Sequence, residues 1–146
     1  MSVFEMGKAE MWINQICAEL GSRDEERAYL ALRASLHALR DRLPVQEAAH
    51  LAAQLPMMIR GLFFEGWHPA TRRPRSRSRD GFLEQVAREI PPGALEPEVA
   101  VRAVFAVLSK HVSPGQIENV RHTLPHQLAD LWSAPRLEGN GAWTSI

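Results

Sequence analysis

A single cysteine, Cys17, leaves the chain without an internal disulfide and suits a reducing compartment. Net charge is also missing: 17 basic and 17 acidic side chains cancel, so no whole-molecule field draws the protein toward nucleic acid or anionic lipid. No apolar run approaches the ~20 residues needed to span a bilayer, so no membrane-spanning helix is expected. The opening MSVFEMGKAEMW lacks a basic stretch followed by an apolar one, so no signal peptide is expected either. Absent too are a GxSxG elbow, a phosphate-cradling glycine loop and a paired CxxC. These gaps disfavour an enzyme, leaving only an active site assembled from distant residues. They point to a cytoplasmic location.

What is present is ordinary globular composition, 45% hydrophobic and 23% charged over 146 residues, enough chain for one domain with a real core. Charge is unevenly placed: residues 72–80 hold five Arg and one Asp, leaving a net of −4 on the remainder. The chain also repeats itself. Residues 32–63 align with 101–132 without a gap, and six positions are identical: Arg33/Arg102, Ala34/Ala103, Leu39/Leu108, Leu55/Leu124, Pro56/Pro125 and Leu62/Leu131. Twelve of the 32 positions are apolar in both copies, against about 6 or 7 by chance at this composition. Upstream, WINQICAEL (12–20) matches FLEQVAREI (82–90) after a one-residue change of offset. Amphipathic helices resemble one another generically, but a shared Leu-Pro and a shared Arg at fixed spacing favour duplication.

Each copy reads as four helices. Trp12, Ile16 and Leu20 recur at i, i+4 and i+8, as do Phe82, Val86 and Ile90. Gly21 and the PPG at 91–93 stop those helices. The longest helix carries Leu32, Leu36, Leu39 and Leu43, repeated as Val101, Phe105, Leu108 and Val112, one apolar stripe facing a core. SPGQ (113–116) reads as a capping box, with Ser113 as N-cap, Pro114 first in the helix and Gln116 third. A proline inside a helix costs ~3 kcal/mol but little in its first turn, so Pro56 and Pro125 divide a third helix from a fourth. Ile59, Leu62 and Phe63, and Leu128, Leu131 and Trp132, then form the buried stripe of the fourth helix, and Gly66 ends it.

The stretch YLALRASLHALRDRLPVQEAAHLAAQLPMMIRGLFFEGW (29–67), followed by FLEQVAREI and VRAVFAVLSKHVSPGQIENVRHTLPHQLADLW, resembles the bacterial domain of unknown function family 2267. The resemblance runs from about Trp12 to Trp132, with LRDRLP and QLPMMIRGLFFEGW its most specific parts. It implies a small, bacterial, all-helical protein and no assigned activity, so no catalytic residues carry over.

Four constellations remain to be weighed. The Arg-rich ATRRPRSRSRD could contact phosphates weakly, but it sits between the repeats with no aromatic side chain to stack on bases, as a solvated linker does. Ser76 and Ser78 within it could be phosphorylated, which would reduce its positive charge. Glu47 and His50 stand at i, i+3 and Glu118 and His122 at i, i+4, yet the repeat aligns Glu47 with Gln116 and His50 with Asn119, too few ligands for a di-metal site. Cys17 lies beside an apolar face with Glu19 nearby and no basic neighbour to favour a thiolate. Arg33 and Arg102, each just after a core position, are either a cation pair able to hold an anion or structural groups paired to carboxylates such as Glu19 or Glu89.

The fold expected is therefore all-α: a single domain over residues 1–132 of about eight helices in two quasi-repeated four-helix halves. Repeat one covers 12–64, an Arg-rich linker 65–80 and repeat two 82–132, with a flexible C-terminal tail over 133–146. No cofactor, metal or catalytic residue is expected. The function expected is a non-enzymatic module that binds an unknown protein partner or a second copy of itself. The alternatives are weak nucleic-acid binding through 72–79, itself disfavoured, and a small-ligand or metal pocket between the halves. Phe64 and Trp67 form the expected interaction surface, because Phe64 aligns with the polar Ser133 and so need not be core.

Overall fold

The computed structural model of the chain describes residues 3–69 and 76–132. Arg72, Arg73 and Arg75, and the tail 133–146 with its Trp143, lie outside the described residues. Among the described residues the fold is all-helical, with eight α-helices and no strand. They are α1 (Val3–Leu20), α2 (Glu25–Arg40), α3 (Val45–Ala52), α4 (Met57–Phe64), α5 (Arg79–Arg88), α6 (Pro97–His111), α7 (Pro114–Thr123) and α8 (His126–Ala129), the last running into a 3-10 turn at Asp130–Trp132.

The helix ends follow from the residues that stand there. Gly21 takes φ 68°, and Ser22 N and Gly21 N donate to Cys17 O and Ala18 O, a Schellman stop that satisfies the last carbonyls of α1. Asp24 caps α2 by accepting from Glu26 N and Arg27 N. Pro56 and Pro125 both stand at N-caps, with φ,ψ of −60°,155° and −57°,149°, one position earlier than the first helical residue. That placement spares the helix the missing N–H altogether. Gly66 at φ 70° follows α4. Ser113 accepts from Gln116 N as the capping-box reading requires, but Gln116 does not reach back. Its amide donates to Glu47, and the Ser113 N–H is satisfied by Gln54 Oε1 at 2.8 Å. The second half's cap is completed by the first half.

One apolar cluster fills the centre, built from Trp12, Ile16, Leu32, Leu36 and Leu39 of the first half and Phe82, Val86, Val101, Phe105 and Leu108 of the second. The pairing of helices follows the exchange of halves. The most extensive contacts join α2 to α6; α1 packs on α6 as α5 packs on α2, and α3 meets its counterpart α7. Glu47 and Gln116, aligned residues of α3 and α7, bond to each other. The interlocked helices are what two quasi-equivalent halves related by a pseudo-twofold axis would give.

α1 departs from the sequence expectation by beginning nine residues before Trp12. α5, its counterpart, starts only at Arg79, so Arg79 and Asp80 belong to a helix rather than to the linker.

Leu39 is fully buried at the centre and Met57 is 55% exposed. Leu39→Ala is expected to cost ~2–5 kcal/mol in guanidinium unfolding, and Met57→Ala to stay within about 0.5 kcal/mol.

Candidate functional site

The second half of α2 carries a polar stripe, Arg33, His37 and Arg40, at i, i+4 and i+7, and His37, Arg40, Asp41 and Arg42 are all buried. A buried charge needs partners, and each has them. Arg40 Nη1 donates to Phe63 O at 2.9 Å and Glu65 O at 2.6 Å, taking up carbonyls at the end of α4. His37 Nε2 meets Leu62 O at 2.9 Å and Nδ1 meets both oxygens of Glu89 at 3.0 Å. Both ring nitrogens thus face oxygen atoms of other elements. Arg33 bridges the carboxylates of Glu65 and Glu89, each at 2.9 Å. These side chains fix the end of α4 against α2 and α5. Of the two carboxylates, Glu89 is the one that the sequence reading named as a partner for Arg33 or Arg102.

With α4 held, an apolar groove of about 430 Å³ opens between it, α1 and the start of α2, lined by Ala9, Ile13, Tyr29, Met58, Gly61 and Leu62. A second hollow of about 290 Å³ continues it, sharing Ala9, Ile13 and Met58. Among the described residues, the charged ones along the two are Glu10, Glu25 and Glu65, with no basic residue in either lining. Met58 is 46% and Tyr29 41% exposed, a large apolar surface left to water in the free chain.

The corresponding place in the second half is different. By the repeat, Ala9, Tyr29, Met58 and Gly61 correspond to Arg79, Glu98, Gln127 and Asp130. There Arg79 Nη2 pairs with Glu98 at 2.7 Å and Arg79 N donates to Gln127 Oε1 at 3.1 Å. Arg102 Nε donates to Glu98 at 2.9 Å and its Nη1 reaches Asp130 O at 3.5 Å. Ion pairs and hydrogen bonds occupy on one side what is open and apolar on the other.

The remaining sequence candidates are dispersed. Phe64 and Trp67 are half-buried against the core with rings 5.1 Å apart, and among the described residues Trp67 Nε1 has no partner. Arg33 and Arg102 are engaged with different carboxylates, and Glu19 pairs instead with Lys110. No group of three or more His, Cys, Asp or Glu able to hold a metal occurs among the described residues. Cys17 is buried, and burial first, then the charges of Glu25 and Asp24, push its thiol up, away from a nucleophilic thiolate. Arg77 donates to Thr123 O and Arg79 is paired with Glu98, so two of the five linker arginines serve the fold.

The family described as "Uncharacterized conserved protein (DUF2267)" matches residues 9–131. No curated protein matches the chain. No helix among the described residues is long and apolar enough to cross a membrane.

Two carboxylates, Glu65 beside the groove and Glu98 at its counterpart, ionise more readily in the fold. The hydrogen bond from Arg33 lowers Glu65, and for Glu98 the hydrogen bonds from Arg102 and Arg79 outweigh the burial that raises it. With folded values depressed, their contribution is complete above the ordinary carboxylate range near ~4.3 and is lost as pH falls through the lowered folded values. The melting temperature is expected to drop on acidification below about pH 4.3, with a shallower drop in Glu65→Gln and Glu98→Gln. An unchanged slope in both variants would remove these two groups from the acid transition.

Proposed function

The chain belongs to the DUF2267 family of uncharacterized conserved proteins, and from that premise we propose that it is a non-enzymatic helical module that captures an amphipathic, basic helix of a partner protein. The reading rests on one observation: the α1–α2–α4 groove is apolar and open, while its counterpart in the second half is closed by Arg79, Glu98 and Arg102. An open apolar groove of this kind accepts side chains spaced i, i+3, i+4 and i+7 on one helical face. Glu10 and Glu25 along its length favour Lys and Arg flanking that face. Exposed methionines suit such a surface, since their unbranched side chains adapt to irregular partners.

Phe64 and Trp67, with rings 5.1 Å apart and packed against the core, are not among the groove's lining residues and offer a separate aromatic contact. Arg33 and Arg102 act structurally, Arg33 by holding Glu65 at the groove. The setting is a bacterial cytoplasm, in keeping with the lone cysteine, Cys17.

The experiment transplants the closed half's residues into the open one. Full-length protein and the triple variant Ala9→Arg, Tyr29→Glu, Met58→Gln are titrated with a fluorescent Leu/Lys amphipathic helix, and with its Leu/Glu counterpart. The expected result is saturable binding of the Leu/Lys helix alone, weakened at least about tenfold, ~1.4 kcal/mol, in the variant. Equal binding of both peptides, or no loss in a variant that melts as the parent does, would overturn the proposal.

A further inference from the structure

After proline, glycine is the residue least suited to the interior of a helix, so a helical glycine calls for a reason. At several positions the fold supplies one. Gly21 and Gly66 take positive φ. Gly81, in the first turn of α5, lies where the chain entering that helix passes against it, and a Cβ there would overlap Ser76. Gly61 has neither reason. It stands within the eight residues of α4, its φ is not positive, and nothing lies within 4 Å of the Cβ it lacks.

The counterpart of Gly61 sharpens the contrast. The repeat aligns it with Asp130, whose backbone is right-handed helical at φ −65°, ψ −21° and which carries a side chain. A side chain is therefore compatible with the architecture at this point, and the free chain would gain helix propensity from one. Gly7 and Gly115 are as open as Gly61, but they stand near the starts of α1 and α7 and are not among the groove's lining residues.

What sets Gly61 apart is the face on which it stands. Met58, Gly61, Leu62 and Glu65 follow one another at i, i+3, i+4 and i+7, and all four line the α1–α2–α4 groove. On that face Gly61 is exposed and leaves the α4 backbone bare. The α1 wall of the same groove carries another small residue, Ala9. Packed helices hold their axes about 8–10 Å apart, a distance set by the side chains at the crossing. A glycine at the crossing lets an incoming group come up to the backbone itself.

We propose that Gly61 is the specificity-determining contact of the groove: the captured basic helix crosses α4 at Gly61 and lays one large apolar side chain over the bare backbone between Met58 and Leu62. The inference rests on the reading of the groove as a helix-binding site, and adds the point at which the partner approaches most closely. The occupant is still a helix with Lys or Arg beside its apolar face, as Glu10 and Glu25 favour. Glycine here gives up helix stability in the free chain and is used only in the complex.

The test pairs a melt with a titration of the full-length chain. The parent, Gly61→Ala, Gly61→Gln and Gly115→Ala are each melted, then titrated with the fluorescent Leu/Lys amphipathic helix. Gly61→Ala is expected to melt at or above the parent temperature and yet to bind at least about threefold more weakly. Gly61→Gln, longer but still a good helix former, is expected to weaken binding at least about tenfold. Gly115→Ala is expected to bind as the parent does. Binding lost without stability lost is an outcome that a purely structural glycine does not give. Parental affinity in both Gly61 variants would overturn the inference and leave the groove reading standing. Equal weakening by Gly115→Ala, or a lowered melt in Gly61→Ala, would overturn it as well. A parent that does not bind the peptide would overturn the groove reading itself, and this inference with it.

Discussion

Everything else in the fold is arranged around the crossing of α2 and α6, the two longest apolar stripes in the repeat. Leu32, Leu36 and Leu39 meet Val101, Phe105 and Leu108, and burial of that face is what makes each half need the other. A half of roughly 65 residues buries too small a fraction of its surface to be comfortable alone. α1 packs on both α2 and α6, and α5 on both α2 and α6, so helices from both ends of the chain share one core. The polar stripe on α2 depends on the same crossing. His37 and Arg40 tolerate burial only because α4 and α5 are brought close enough to supply carbonyls and the Glu89 carboxylate.

Positions that the sequence repeat aligns then carry different surfaces. A handful of differences decides it: Ala9 against Arg79, Tyr29 against Glu98, Met58 against Gln127, Met11 against Gly81. Each residue in the second half closes a gap with an ion pair, a hydrogen bond or a passing segment of chain, and each in the first half leaves that gap apolar or open. Ion pairs at a half-exposed site add little stability, so the closed half gains mainly a covered surface. The open half keeps Met57, Met58 and Tyr29 in water, which is unfavourable unless something covers them.

Much of this was legible in the sequence, for physical reasons that differ by element. The Leu-Pro corners were readable because proline's missing donor restricts it to a helix start, and Gly21 and Gly66 because left-handed backbone selects glycine. The core stripes followed from 4-3-4 spacing. Contacts between distant residues were not legible. Gln54 completing the Ser113 cap, and Gln116 turning to Glu47, depend on how α3 and α7 meet. His37 and Arg40 showed a polar stripe on an apolar helix, a signal that was present, but apart from Asp41, which pairs with Arg40, their partners lie 23 or more residues away. The groove emerges only when the repeat is compared residue by residue with the structure, since it has no motif of its own.

The central claim is that the first half presents open apolar surface in the free protein while the second half is sealed. The most direct measurement is methyl NMR of the free, full-length chain in the presence of a soluble paramagnetic probe. Met11, Met57 and Met58 are expected to be broadened strongly, and Leu39, Leu108 and Leu128 to remain sharp, in line with their burial. Met58 and Met57 protected to the same degree as Leu39 would mean that this face is already covered, and would contradict the account.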